Sequence, residues 1–279
     1  MTDYLDFKVD LENSEVAEIF DDFSYWSSMF GQLLFGHLRL SPDLTALDVG
    51  CGTGFPLLEL ADRLGPTGTI HGIDAWGRAV ARAQRKVRVR GNSNVHLTHG
   101  DAVDMPYDDG FFDLIVSNLG LNNFDDPTAV MVECRRVCKP EGRLALTTNL
   151  VGHMDEFYRA YEQILVETEN SHLVEKLQQH EAHRATPEGL HDLFDKAGFR
   201  VTAFHTETFT LRYASGSAFL RAYLSKVGFL DGWRSVLLST DQEPLVFEKL
   251  EARLNQIARE SGEGLCLSIP AAYIEGQRS

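Results

Sequence analysis

The sequence predicts a doubly wound α/β fold on a mostly parallel sheet, and three observations carry that prediction. From Leu44 to about residue 150, short apolar runs alternate with single helical stretches. The run FDLIVSN at 112–118 is near-continuous in apolar residues, as suits a parallel strand covered on both faces. A glycine-rich bend follows the first apolar run, and open parallel sheets bind ligands beyond the carboxyl ends of their strands.

The elements follow in order. The first 40 or so residues read as helical, and residues 1–43 are expected to form an N-terminal helical cap on a domain spanning 44–279. Its aromatic stretch Phe20, Phe23, Tyr25, Trp26 and Phe30 is expected to pack against that domain. LTALDV at 44–49 reads as a buried strand, and glycines 50, 52 and 54 lead into a helix over about 55–64. GPTG at 65–68 is a turn, TIHGID at 69–74 a second strand, 76–90 a helix and NVHLTHG at 94–100 a third strand. After the fourth strand, Asp126-Pro127 supplies a cap and a first-turn proline for a helix ending near Cys138. KPEG at 139–142 reads as a turn and RLALTTN at 143–149 as a fifth strand. Single-helix connections imply right-handed crossovers.

Beyond that, 153–182 reads as a long polar helical region, and Thr186-Pro187 opens a helix that stops at Gly198. Residues 201–213 alternate as a strand. Residues 215–261 form a helical insert with breaks at Gly228 to Gly232 and near Pro244. GLCLSIPAAYI at 264–274 is a final strand, whose Pro270 suggests an edge or a bulge.

Composition narrows the function classes. The 279 residues carry 26 basic and 41 acidic side chains, a net charge of -15. Such a field repels a phosphate backbone, so nucleic acid is not an expected partner. The local run Arg82, Arg85, Lys86, Arg88 and Arg90 reads as the solvated face and C-terminal end of a helix, where cations complement the dipole. Cys134 and Cys138 lie four apart, but with Val130 and Val137 they make an apolar helical stripe, so core packing is favoured over metal ligation and no metal is expected. The acidic N-terminus lacks the apolar core of a signal peptide, and no apolar stretch approaches the ~18 residues that span a bilayer. A cytoplasmic protein with no membrane span is the expectation, and oligomeric state stays open.

Residues 47–54, Leu-Asp-Val-Gly-Cys-Gly-Thr-Gly, carry the clearest chemistry. Glycines at a strand-to-helix bend allow positive φ and close approach of backbone to ligand. The open amides at the following helix N-terminus favour a carboxylate or phosphate. The pattern is G-x-G-x-G and not the dinucleotide G-x-G-x-x-G, because Phe55 stands where that motif needs a small residue. Asp74 follows Gly54 by 20 residues, at the end of the second strand, where a carboxylate can accept from ribose hydroxyls.

With LDVGCGTG (47–54), GID (72–74), GDAVDMPYDDGFFDLIVSN (100–118) and KPEGRLAL (139–146) in this order and spacing, the chain resembles the class I S-adenosylmethionine-dependent methyltransferases, particularly the ubiquinone and menaquinone biosynthesis subgroup. The resemblance covers residues 44–150 and implies a Rossmann-like sheet of seven strands, the last antiparallel. It implies that Gly50, Gly52 and Gly54 pass beneath the methionine part of S-adenosylmethionine while Asp48 orders the bend. Asp74 would bind the ribose, with Ala75 beside it. Asp101 would accept from the adenine amino group, with the Ala102 amide at the ring. Asn118 would lie near the methionine end. Trp76, where the family usually carries a smaller apolar residue, would cover the adenine. Asp113 is read as structural. Without a ligand, Asp48 and Asp101 also fit as loop-capping carboxylates, and Asn118 as a turn residue.

Methyl transfer from a sulfonium needs alignment and exclusion of water more than acid–base groups, which accords with the absence of a triad or metal motif. His153, just after the fifth strand, is the best-placed base candidate, ahead of His37. Tyr25 and Trp26 fit either a cation–π contact with the sulfonium or simple packing. Asn122, with Asn123, falls in the loop after Asn118 as a substrate contact, with solvated loop residues as the plainer reading. Tyr223 in the insert, with Phe219, Leu220 and Leu224, fits an apolar substrate wall or core packing. The insert is expected to cap the site. The leading expectation is methylation of a small molecule, with S-adenosylhomocysteine as product. A non-catalytic or regulatory S-adenosylmethionine-binding protein is the alternative, and a nicotinamide-dependent oxidoreductase, disfavoured by the loop spacing, is the third.

Overall fold

The computed structural model describes residues 2–20, 24–238 and 240–279. Phe23 of the aromatic stretch lies outside them. Seven strands form one sheet: β1 (Thr45–Val49), β2 (Thr69–Asp74), β3 (Val95–His99), β4 (Phe112–Asn118), β5 (Cys138–Asn149), β6 (Phe199–Tyr213) and β7 (Leu265–Arg278). Their order is β3-β2-β1-β4-β5-β7-β6. β1 pairs in parallel with β2 and β4, β2 with β3, and β4 with β5, while β7 runs antiparallel to β5. The chain reaches one edge at β3 and returns to β4, so the strand order switches between β1 and β4. That is where an open α/β sheet leaves a crevice at its carboxyl ends.

The helices are α1 (Ser14–Ile19), α2 (Ser24–His37), α3 (Leu57–Leu64), α4 (Gly77–Arg90), α5 (Pro127–Val137), α6 (Asp155–Glu167), α7 (Val174–Ala182), α8 (Pro187–Lys196), α9 (Gly216–Arg221), α10 (Tyr223–Gly228), α11 (Leu230–Ser235) and α12 (Glu243–Ser261). α5 and α8 begin where the sequence places their caps. The Asp126 side chain accepts from the Ala129 amide at 2.9 Å, and Thr186 from the Gly189 amide at 3.0 Å. α3 buries Leu57, Leu58, Leu60, Ala61 and Leu64 and leaves Asp62 and Arg63 outside, a clean amphipathic division. The basic run on α4 is largely consumed within the fold: Arg82 and Arg85 pair with Glu18, and Arg90 with Asp62.

The chain divides into two compact units. The larger comprises Asp10–Asn149, Thr186–Glu207 and Ala271–Ser279. Its core is the sheet interior, with Ala46, Leu47, Ile70, Ile73, Leu114, Ile115, Val116 and Leu144 fully buried. Asp113 braces it from below: its carboxylate takes the Thr45 amide at 2.9 Å and the Lys139 ammonium at 2.8 Å. Cys134 and Cys138 are buried with Val130 and Val137, as the apolar stripe predicts. The smaller unit comprises Met1–Val9, Leu150–Ala185 and Thr208–Pro270. It packs aromatic residues Phe157, Tyr161, Phe219, Trp233 and Phe247 into its own core, and the Tyr161 hydroxyl donates to the Trp233 carbonyl at 3.0 Å.

Two expectations need correction and a third gains detail. KPEG at 139–142 is not a turn before a strand; it lies inside β5 as an irregularity, because Cys138 already pairs with Phe112 before the register shifts ahead of Arg143. Glu141 absorbs the bend at φ 62. The region 153–182 is helical as expected, with a break between α6 and a 3-10 turn at Ser171–Leu173 that leads into α7, where Thr168 turns its hydroxyl back onto the Ile164 carbonyl at 2.7 Å and Glu169 takes φ 61. Pro270 does not mark an edge strand: β7 lies between β5 and β6, and its pairing with β5 begins at Ala271, so the missing amide falls just beyond that ladder.

Candidate active site

The carboxyl ends of β1, β2 and β4 bring the site together in the larger unit. After Val49 the chain bends through Gly50, Gly52 and Gly54, whose φ values are 77, 51 and 108. The Gly50 and Cys51 amides both donate to the Ile73 carbonyl, at 2.9 and 3.2 Å, which pins the bend to β2. Gly54 is close-packed: a Cβ there would lie 3.2 Å from Leu58. Gly52 is different. A Cβ there would meet nothing within 4 Å, so this backbone faces open space.

Asp74 ties the bend to the next loop. One carboxylate oxygen accepts from the Gly52 amide and the other from the Trp76 amide, each at 2.8 Å. Each oxygen keeps a second lone pair for a ligand hydroxyl. Burial pushes the Asp74 carboxyl up, opposed by those two amides and by His99. His99 in turn contacts the Ala75 carbonyl at 3.0 Å, and its ring would lie 3.0 Å from a Cβ at Gly77. Asp48, at the end of β1, is fully buried, and neither oxygen takes a hydrogen bond of ordinary geometry among the described residues. Burial first, then the Asp74 charge, pushes its carboxyl up to about 8, against the Leu57 amide.

The other candidates sit as follows. Trp76 is half-buried; its indole N–H donates to the Leu11 carbonyl at 2.8 Å, and Phe20 meets its ring edge-on at 4.9 Å. Asp101 is exposed and accepts from the Val103 amide at 3.1 Å with one oxygen, and Ala102 follows it half-buried. Asn118 is 7% exposed; its amide donates to the Ser27 carbonyl at 3.1 Å and its oxygen accepts from the Thr147 hydroxyl at 2.7 Å. Asn122 bridges Thr148 and Asn149, at 2.6 Å to each. Tyr25 is 65% exposed, and Trp26 stands edge-on to Phe30 at 5.1 Å. Tyr223 and His153 belong to the smaller unit. Tyr223 lies edge-on to Phe7 at 6.2 Å, while Phe219, Leu220 and Leu224 are core residues. His153 is 1% exposed, 5.5 Å from the Phe229 ring, and burial followed by Arg184 and His183 pushes it down to about 3. An imidazole so weakly basic removes a proton poorly. His37 stacks on His205 at 3.8 Å, in the larger unit.

Several contributors were not singled out from sequence. Ser117 donates to the Val49 carbonyl at 2.6 Å, locking β4 to the start of the bend. Gly120 sits so close that a Cβ would fall against Ser117 Oγ and lie 3.1 Å from the Val49 oxygen. Lys86, read from the sequence as part of a solvated basic face, instead reaches from α4 to the Thr53 carbonyl at 2.8 Å. Thr147, Thr148 and Asn149 are buried polar residues at the end of β5. A polar Thr-Thr-Asn tail on an otherwise apolar strand is the signal that points to them.

Residues 40–198, over half of the chain, match a family model described as a methyltransferase domain. The chain belongs to the methyltransferase domain family. Within it, the chain is 40% identical over 97 residues to the demethylmenaquinone methyltransferase of Geobacillus kaustophilus (strain HTA426), covering 35% of this chain and 42% of that one. The chain thus spans about half, or less, of the length of the curated relatives it matches. Among solved structures, a SAM-dependent methyltransferase from Aquifex aeolicus superposes with a TM-score of 0.52 at 23% identity, covering 71% of this chain and 92% of that one. The [4+2]-cyclase SpnF superposes with a TM-score of 0.55 at 20% identity, covering 90% and 80%. These structural likenesses place the methyltransferase domain on its common fold. No helix among the described residues is long and apolar enough to cross a membrane.

Proposed function

We propose that this methyltransferase domain binds S-adenosylmethionine and moves its methyl to a small-molecule acceptor by in-line displacement, releasing S-adenosylhomocysteine. The observation that carries the reading is the open face of Gly52 directly beside the two-oxygen cradle of Asp74. The donor set fits the group: a backbone that needs no side chain, a carboxylate with spare lone pairs for two ribose hydroxyls, and a buried acidic Asp48 below a positively charged ligand. When bound, the cofactor supplies an activated methyl on a good leaving group. Gly50, Gly52 and Gly54 then carry the methionine part, Asp74 the ribose, and Ala75 and Trp76 flank the adenosine. Asp101 offers its second oxygen to the adenine amino group beside the Ala102 amide, and Asn118 lies toward the methionine end.

On the acceptor side, a hydroxyl and carboxamide network in two parts, Thr147 with Asn118 and Asn122 with Thr148 and Asn149, has no ionisable member. Such a network orients and hydrogen-bonds; it does not remove protons. The acceptor in this reading brings its own nucleophile, such as a phenolate or an enolate, and Tyr25 and Trp26 are the proposed apolar contacts. His153 holds a neutral ring rather than acting as a strong base. Incubation with methyl-labelled S-adenosylmethionine and a panel of phenols, quinols, thiols and amines tests this, with Gly52→Arg as control. Label transferred to a phenol or quinol supports it. Tight cofactor binding with no methylated product from any acceptor instead supports the alternative of a non-catalytic S-adenosylmethionine-binding protein. Preference for NAD over S-adenosylmethionine would overturn both.

A further inference from the structure

Beneath the glycine bend the chain buries a carboxyl that it does not neutralise. Asp48 has no exposed surface, and neither oxygen holds a hydrogen bond of ordinary geometry among the described residues. The groups that act on it come from each neighbouring element. Asp74 at the end of β2 disfavours its charge, while the Leu57 amide at the start of α3 favours it; burial, then Asp48 and Asp74, push the Cys51 thiol in the bend up, so it stays neutral. Asp74 is itself offset by the Gly52 and Trp76 amides and by His99 from β3. Lys86 of α4 reaches the bend, but its ammonium donates to the Thr53 carbonyl. Among the described residues, no cation acts on Asp48. A carboxylate in such a place keeps its proton until a positive charge arrives.

Resting on the reading of this bend as the cofactor cradle, we propose that the Asp48–Asp74 pair holds one proton in the free protein and releases it to solvent when a cationic cofactor binds. The Asp48 O–H bond breaks, the proton passes to buffer, and the carboxylate left behind faces the sulfonium and ammonium charges of the ligand. An opposite charge within about 4–6 Å lowers a carboxyl pKa by roughly 1–3 units. The free carboxyl lies at about 8, so the bound one falls near or below neutrality. Affinity for S-adenosylmethionine then rises with pH, by up to about tenfold per unit below pH 8, and levels off above it.

The test is titration calorimetry of the full chain at pH 7 in phosphate and in Tris, which differ in ionisation heat, repeated at pH 9.5. The cofactor's own α-amino group titrates near ~7.7–8.0, so Asp48→Asn supplies the baseline. Wild type is expected to release about one proton more than Asp48→Asn at pH 7 and the same number at pH 9.5. 5′-Methylthioadenosine, which keeps the adenosine and thioether but has neither cationic group, is expected to release none. Binding of S-adenosylmethionine with no buffer-dependent heat in wild type overturns the proton coupling and leaves the cradle standing. Equal release with methylthioadenosine also overturns it. No binding of any of these ligands removes the cradle reading itself. Where Asp48→Asn fails to fold, S-adenosylhomocysteine, which carries the same α-amino group but no sulfonium, supplies the baseline in wild type: it is expected to release fewer protons than S-adenosylmethionine at pH 7, and equal release overturns the coupling.

Discussion

Replacing Gly52 and Gly54 separately by alanine distinguishes a ligand cradle from a merely tight turn. Gly52 has φ 51, inside the left-handed region, and its Cβ would meet nothing within 4 Å. Gly52→Ala therefore costs the free protein only the strain of a left-handed L-residue, about 1–2 kcal/mol, a fall in melting temperature of roughly 2–8 °C for a chain of this size. Gly54 has φ 108, and its Cβ would crowd Leu58 at 3.2 Å and Ala83 at 3.5 Å. Gly54→Ala adds an overpacking cost of about 1–3 kcal/mol to a larger strain, so it is the more damaging change to the fold. Binding reverses the ranking per unit of stability lost. The new methyl at Gly52 enters the space assigned to the methionine part of the cofactor, and an overpacking cost of about 1–3 kcal/mol weakens binding by roughly 5- to 150-fold. Thermal melts of the free proteins and titrations with S-adenosylmethionine measure the two effects. Gly52→Ala that melts lower as expected but binds the cofactor within about twofold of wild type would refute the reasoning.

Other outcomes follow from the same geometry. The Asp48 carboxyl, at about 8 in the fold against an ordinary value near 3.8, keeps a proton that the unfolded chain sheds, so wild-type stability falls as pH rises through that window. Relative to Asp48→Asn the loss reaches about 4 kcal/mol by pH 7 as an upper bound; denaturant curves at pH 5 and 8 with parallel stabilities for the two proteins would contradict this. His153, pushed down to about 3, refuses a proton that the unfolded chain accepts, so its stability share is intact above about 6.5 and is lost as pH falls toward 3. His71 and His180, both pushed down to about 4, act in the same direction. His153→Gln is expected to shrink the loss at pH 5 by about 2 kcal/mol, read from urea midpoints at pH 5 and 7. Gly120→Ala drives a methyl against Ser117 Oγ and the Val49 oxygen, so it breaks their hydrogen bond and shifts the bend; a stability loss of about 2–3 kcal/mol with weakened cofactor binding is expected, and wild-type affinity would count against the lock between β4 and the bend.

The parts of the fold legible in sequence are those set by local chemistry. β2 and β4 run over the residues their apolar patterns mark, and the Asp126 and Thr186 caps form where the side chains stand. What escaped depends on partners far away in the chain. KPEG carries every local sign of a turn, yet pairing of Cys138 with Phe112 draws it into β5. Pro270 reads as an edge signal, but only the sheet order reveals that β7 is interior with its ladder starting one residue later. The same division runs through the site. The glycine bend and Asp74 lie where their spacing indicates, because a strand end and a helix start fix them locally. The Asn122 bridge to Thr148 and Asn149 joins the turn after β4 to the end of β5, 26 residues on to Thr148, and has no local signature. Nor does position just after a strand reveal that His153 is buried, which decides its basicity.

A structure determined with S-adenosylhomocysteine tests the central claim most directly. The account predicts both ribose hydroxyls on the Asp74 carboxylate, the amino-acid tail over Gly52 and the adenine beside Asp101. Density for the nucleoside elsewhere, with the space above Gly52 filled only by solvent, would contradict it.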